Sequence, residues 1–113
     1  MSVVIPESDW KVFRKLREAA LERFCERVLG EIVRIASDDG ITFHNRYLHI
    51  YKLIEERDNQ IARAFNDPRR SNALLQLAVI YALDLVTDNE LLAFTPATRG
   101  VVQSLSNAKK PAR

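Results

Sequence analysis

Residues 73–85 read Ala-Leu-Leu-Gln-Leu-Ala-Val-Ile-Tyr-Ala-Leu-Asp-Leu, and they decide the fold. A helix that is apolar all round has no face for water, so other elements must surround it. The run falls short of the roughly 20 apolar residues that cross a bilayer. It therefore predicts the central helix of a small bundle. Asn66-Asp67-Pro68 marks the boundary before it, with Asp67 as N-cap and Pro68 as first helical residue, so the expected span is 68–86. Beyond it, Thr87 and Glu90 have capping-box spacing and open a short helix over 88–93. Thr95-Pro96 repeats the pattern of cap and proline and starts a last short helix to about residue 104.

Two longer helices come first. One is expected over 9–37, with Ser8 as N-cap and Asp9 beside the positive end of the dipole. Phe13, Leu16, Ala20, Phe24, Val28, Ile32 and Ile35 form one apolar stripe on it. Trp10, Leu21, Cys25, Leu29, Val33 and Ala36 form a second beside the first. The combined face is wider than one partner helix needs. Its polar side offers the pairs Arg14–Glu18 and Arg27–Glu31 at i,i+4 spacing. Gly30 interrupts the pattern and predicts a close approach or a bend. Asp38-Asp39-Gly40 ends the helix, with Gly40 expected in the left-handed C′ position. The next helix is expected over 43–65 with Thr42 as N-cap. Tyr47, Ile50, Ile54, Ile61 and Phe65 make its stripe, and Arg57 and Asp58 interrupt it.

Composition agrees with an all-α chain. Three Gly and four Pro in 113 residues are too few for the turns of a β sandwich. The net charge of +2 is too small to indicate a polyanion partner by itself. Cys25 is the single cysteine, so no internal disulfide forms, and its apolar neighbours suggest a small buried side chain. No signal peptide or membrane span is apparent, and a cytoplasmic location is expected. Residues 1–105 read as one domain, with Val3 to Ile5 as an apolar lead-in, and residues 106–113, which include Lys109, Lys110 and Arg113, read as a flexible basic tail.

No catalytic, cofactor or metal motif stands out. His44 and His49 are five residues apart and do not share a helical face. The three glycines are too scattered for a phosphate loop, and no nucleophilic triad suggests itself. One polar cluster is notable: Arg57 and Asp58 on helix 2, with Asp67, Arg69 and Arg70 at the following turn. If helices 2 and 3 run antiparallel, these groups could meet. They would then form either a recognition pocket, with Glu55, Arg57, Asp58 and Arg70 as an enzyme or small-ligand site, or an ion-pair network that sets helix register.

The expected architecture is three main helices with one or two short C-terminal ones. The excess width of helix 1 predicts a two-fold homodimer through Trp10, Phe13, Leu21, Phe24, Val28 and Ile32, or through the lead-in. The expected function is a non-enzymatic protein-interaction module, an adaptor or regulator with an unidentified protein partner. The alternative is a nucleic-acid-associated regulator using Arg69, Arg70 and the tail.

Overall fold

The computed structural model describes residues 4–109, with side chains through Ser106. Helix α1 is Glu7–Ala36, α2 Phe43–Phe65, α3 Ala73–Ala82, α4 Asp88–Leu91 and α5 Pro96–Lys109. No strand occurs among the described residues.

Helix α1 starts two residues earlier than its sequence suggests. Its N-cap is Pro6, not Ser8, and Trp10 N donates to the Pro6 carbonyl at 2.9 Å. Proline already holds φ near the helical value, here −59°. Ile5 before it is buried in the core and fixes the entry of the chain, whereas Val4 stays exposed. Helix α2 has the expected bounds, and Thr42 Oγ1 accepts from Asn45 N at 3.1 Å. Between the two, Gly40 is not left-handed. Asp38 makes the turn instead. Its Oδ1 accepts from Gly40 N at 3.0 Å, and its carbonyl accepts from Ile41 N at 3.2 Å. A Cβ at residue 40 would lie 3.2 Å from that carboxylate, so glycine serves here by being small.

Helix α3 is shorter than expected at both ends. Asp67 has φ of 49°, a left-handed conformation, and so does not act as an extended N-cap. Asn72 organises the turn. Its Oδ1 accepts from Arg69 N at 2.8 Å, and its Nδ2 donates to the Asp67 carbonyl at 3.1 Å. At the other end Asp84 has φ of 64°. Leu85 N donates to the Ile80 carbonyl at 3.2 Å and Asp84 N to the Tyr81 carbonyl at 3.0 Å. These are the two bonds of a Schellman motif, with aspartate in the place glycine usually takes. Leu85 and Val86 therefore lie in the core but outside the helix. Both capping-box bonds of α4 are present. Helix α5 is a main helix of 14 residues, not a short one, and continues through Lys109. The rest of the expected tail, including Lys110 and Arg113, lies outside the described residues.

Helices α1 and α2 form an antiparallel hairpin. Arg46 reaches the Ala36 carbonyl at its tip (2.9 Å), and Arg17 Nη2 donates to the Phe65 carbonyl near its base. Helices α3 and α5 pack against each other and close over that base. The core joins Phe13, Ala20 and Phe24 of α1 to Phe65 of α2, Leu77 and Ile80 of α3, Phe94 of the α4–α5 connection and Val102 of α5. As residues 73–85 predicted, α3 is the buried centre, although Leu75 remains 49% exposed.

Arginines satisfy the carbonyls left open where these helices end. Arg46 serves α1 and Arg17 serves α2. Arg27 donates to the Leu83 and Asp84 carbonyls after α3, at 2.9 and 3.0 Å, and Arg23 donates to the Leu85 carbonyl at 2.8 Å. Arg27 thus serves α3 and does not pair with Glu31, which accepts from Arg57 instead at 3.1 Å. The expected Arg14–Glu18 pair does not form among the described residues.

The radius of gyration is 16.6 Å, against roughly 13 Å for a compact domain of this length. The long dimension is 51 Å and the others are 29 and 27 Å. The excess length is the distal part of the hairpin, beyond Arg27 of α1 and before Arg57 of α2, which projects as an arm. Gly30 lies in this arm. A Cβ added there would meet nothing nearer than Arg34 Nη1 at 3.9 Å, so no helix approaches closely. Gly30→Ala should therefore stabilise the chain by about 0.5–1 kcal/mol through helix propensity alone. Urea unfolding should show a higher midpoint with an unchanged slope.

Candidate functional site

A two-helix arm can cover only the sides on which its helices touch. Leu53 is the one apolar side chain buried within it, with Val28, Ile32, Ile35 and Ile50 half-buried. Seven of the ten large apolar side chains that stand open among the described residues belong to the arm: Leu29, Val33, Phe43, Tyr47, Leu48, Tyr51 and Ile54. That concentration makes the arm the candidate site.

Helical spacing decides which way these residues face. Phe43, Tyr47, Tyr51 and Ile54 follow steps of four, four and three, and Ile61 continues the line a further seven residues on. Cys25, Leu29 and Ile32 do the same on α1. The two lines share one flank of the hairpin. Between them runs a groove of about 360 Å³, lined by Leu29, Ile32, Ile54 and Ile61, with Cys25 half-buried in its wall. The other flank carries Arg34, His49, Lys52 and Glu56 by the same geometry. One side of the arm is apolar and the other polar apart from Leu48, which stands four residues before Lys52.

The side chains read from α1 as a candidate dimer surface differ in how open they are in the single chain. Phe13 is 0% and Phe24 4% exposed, so both are spent on the core of the single chain. Trp10, Leu21 and Val28 pack half-buried against that core, and Ile32 lies half-buried in the groove. What remains open is further along, at Leu29 and Val33, with the larger share on α2. Phe43, Tyr47 and Tyr51 are the most exposed large apolar side chains of α2 and form its dominant surface, which spacing alone does not reveal.

The polar cluster is dispersed. Arg57 pairs with Glu31 at 3.1 Å and Arg70 with Glu7. Those partners lie 24 positions apart on α1, roughly 36 Å at 1.5 Å per residue. Asp67 pairs with Arg69 at 2.7 Å, both exposed, and Asp58 borders the apolar groove. Glu55, Arg57, Asp58 and Arg70 therefore do not enclose a common pocket. The Arg57–Glu31 pair bridges the two arm helices, and the Arg70–Glu7 pair ties the α2–α3 turn to the start of α1. His44 and His49 are exposed on α2, and no group of His, Cys, Asp and Glu among the described residues is arranged to hold a metal ion.

Two polar networks that hold the body were not legible beforehand. Asp9 is 1% exposed and caps α5 from across the fold. Its Oδ1 accepts from Thr95 N at 3.1 Å, and its Oδ2 accepts from the Thr95 and Thr98 hydroxyls at 2.7 and 2.6 Å. Burial pushes this carboxyl up, and the Thr98 and Thr95 hydroxyls with the Thr95 amide outweigh burial and hold it below its ordinary value. Arg23 makes a two-pronged bond to Glu90 at 2.7 and 2.8 Å, joining α1 to the α4 capping box. That guanidinium, with help from the Thr87 amide and hydroxyl, overcomes burial and holds the Glu90 carboxyl at about 2.

No helix among the described residues is long and apolar enough to cross a membrane. No family model, curated protein or solved structure matches the chain, which leaves the geometry of the arm as the ground for a functional reading.

Proposed function

We propose that the protein is a non-catalytic helical interaction module that works as a homodimer, with the apolar flank of each α1–α2 arm laid against the arm of a second copy. The uncovered flank is the observation that supports this. Phe43, Tyr47 and Tyr51 are 84%, 67% and 57% exposed. At roughly 200 Å² per aromatic side chain they leave about 400 Å² open. The exposed aliphatic side chains of the same flank, Leu29, Val33 and Ile54, bring the apolar area to roughly 550–600 Å². A homodimer interface is about 65% apolar, so this flank suits an interface of roughly 900 Å² per copy. A stable complex needs about 800 Å² per partner. Two hairpins related by a two-fold axis would complete a four-helix bundle, each presenting the same flank to the other. The role is then that of an adaptor or regulator acting through helix contacts.

Sedimentation equilibrium tests the proposal. The wild-type chain should sediment at twice its chain mass at concentrations on the order of tens of micromolar, as an interface of this size allows. Tyr47→Glu with Ile54→Glu should give a monomer with an unchanged helical circular dichroism spectrum, because both side chains are exposed in the single chain. A wild-type monomer at that concentration, or a dimer that survives both substitutions, would refute the reading.

A further inference from the structure

A second feature of the body points to a ligand. The early turns of α1 and Pro68 of the α2–α3 connection border an open surface cleft of about 700 Å³. Its wall is Trp10, Lys11, Arg14, Lys15, Arg17 and Glu18. Four cations and one carboxylate give this wall a charge of +3, more than the +2 of the whole chain. Most of the charge is uncompensated. Lys11, Arg14 and Lys15 take part in none of the ion pairs among the described residues. Arg17 is held by the Phe65 carbonyl, and its buried Nε has no hydrogen-bond partner.

Lys11 and Lys15 are like charges at i,i+4, and such pairs weaken a helix. The acidic side chains spaced to relieve these cations are not used for it: Glu7, four residues before Lys11, is engaged by Arg70, and among the described residues Glu18 pairs with neither Arg14 nor Lys15. An anion in the cleft would supply the missing partner. Trp10 indicates the rest of the ligand. It lines the cleft, is half-buried, and is stacked on Phe13 at 5.8 Å between centroids, which restrains the ring. A rigid aromatic beside several cations suits a planar ring that carries phosphate, since the ring stacks while guanidinium and ammonium groups bind the phosphoryl oxygens. The volume fits a ligand of nucleotide size.

We infer that this cleft binds a nucleoside phosphate, either a free nucleotide or one residue of a single strand, with the base against Trp10 and the phosphate on Lys11, Arg14 and Lys15. The site differs from the basic surface read from sequence, because Arg69 and Arg70 are engaged with Asp67 and Glu7. It is independent of the arm. Trp10 and Leu29 are 19 positions apart on α1, roughly 28 Å at helical rise.

Trp10 is the single tryptophan, so its fluorescence reports the cleft directly. The full chain is titrated with ATP, with a single-stranded oligothymidylate and with inorganic phosphate, at matched ionic strength. The expected result is saturable quenching by ATP or the oligonucleotide. Arg14→Glu with Lys15→Glu should weaken that binding at least about tenfold, since phosphate contacts dominate affinity. Lys52→Glu with Arg63→Glu, which changes net charge equally on α2, should leave it unaltered. Tighter binding of the strand than of ATP identifies a nucleic-acid ligand, and equal or weaker binding identifies a free nucleotide. The inference fails under any of three results: neither compound quenches at about 1 mM in low salt, where phosphate contacts are strongest; inorganic phosphate alone reproduces the change; or the two charge-reversed proteins bind alike.

Discussion

Replacing Asp9 with alanine should destabilise the fold by about 3 kcal/mol, through the loss of a charged acceptor and of a helix cap together. The carboxylate accepts three hydrogen bonds at the start of α5. Thr98 is 3% exposed, so its hydroxyl loses a partner where water is scarce. Alanine leaves these donors unmatched, which is the expensive way to remove a hydrogen bond. Asparagine keeps the size and one acceptor, and Asp9→Asn should cost roughly half as much. The two substitutions also differ from wild type in acid. The Asp9 carboxyl lies below its ordinary value of 3.8 in the folded chain. The unfolded chain thus binds its proton first as pH falls. The stabilisation is complete above about 3.8 and is lost as pH drops through the lower, folded value. Urea midpoints measured from pH 6 down to pH 2 should fall less steeply for Asp9→Asn than for wild type. The slope that remains in the variant is expected from Glu90, whose contribution fades between 4.5 and about 2. Parallel curves for the two proteins would show that the Asp9 carboxyl is not held below its ordinary value in the folded chain.

Asp9 also shows where reading along the chain reaches its limit. Its local context placed it correctly near the beginning of α1, where a carboxylate suits the dipole. Its partners lie 86 and 89 residues away, and no spacing rule links them. The same holds for Arg17, Arg23 and Arg27. Arg27 was read on the polar side of α1 and the other two carried no local signal, yet each is fixed by a carbonyl that only the tertiary fold brings near. Some signals that act within one turn were read correctly, as with Thr42 before α2 and the Thr87–Glu90 box, whereas the Ser8 cap and the left-handed Gly40 were not. The start of α3 failed because two local signals competed. Asp67-Pro68 favours an immediate helix, while the Asn72 amide organises a turn across the same residues, and the turn prevails. The apolar excess of the long helix was legible as an excess. Its location was not, because part of that face is consumed by the base of α2 and by α3, whose docking site the pattern does not specify.

Two phenylalanines at opposite ends of α2 make that difference measurable. Both open or close the same helix, and both fit its apolar periodicity. Phe65 is 1% exposed, its ring centroid 6.2 Å from that of Phe24, with the Arg17 guanidinium 6.0 Å from the ring. Phe43 is 84% exposed and touches the Arg46 guanidinium at 4.7 Å. Phe65→Ala should cost about 3–5 kcal/mol, as removal of a fully buried aromatic side chain usually does. Phe43→Ala should cost no more than about 0.5–1 kcal/mol, the worth of an exposed cation–aromatic contact. These values refer to the single chain. They are best measured in the Tyr47→Glu, Ile54→Glu background, where dimerisation does not add to apparent stability. In the wild-type background the order of effects should reverse for assembly. Phe43→Ala should weaken the dimer at a concentration where Phe65→Ala chains that remain folded still pair. Comparable losses of single-chain stability from the two substitutions would mean that the distal arm is covered within one chain, and the proposed interface would lose its basis.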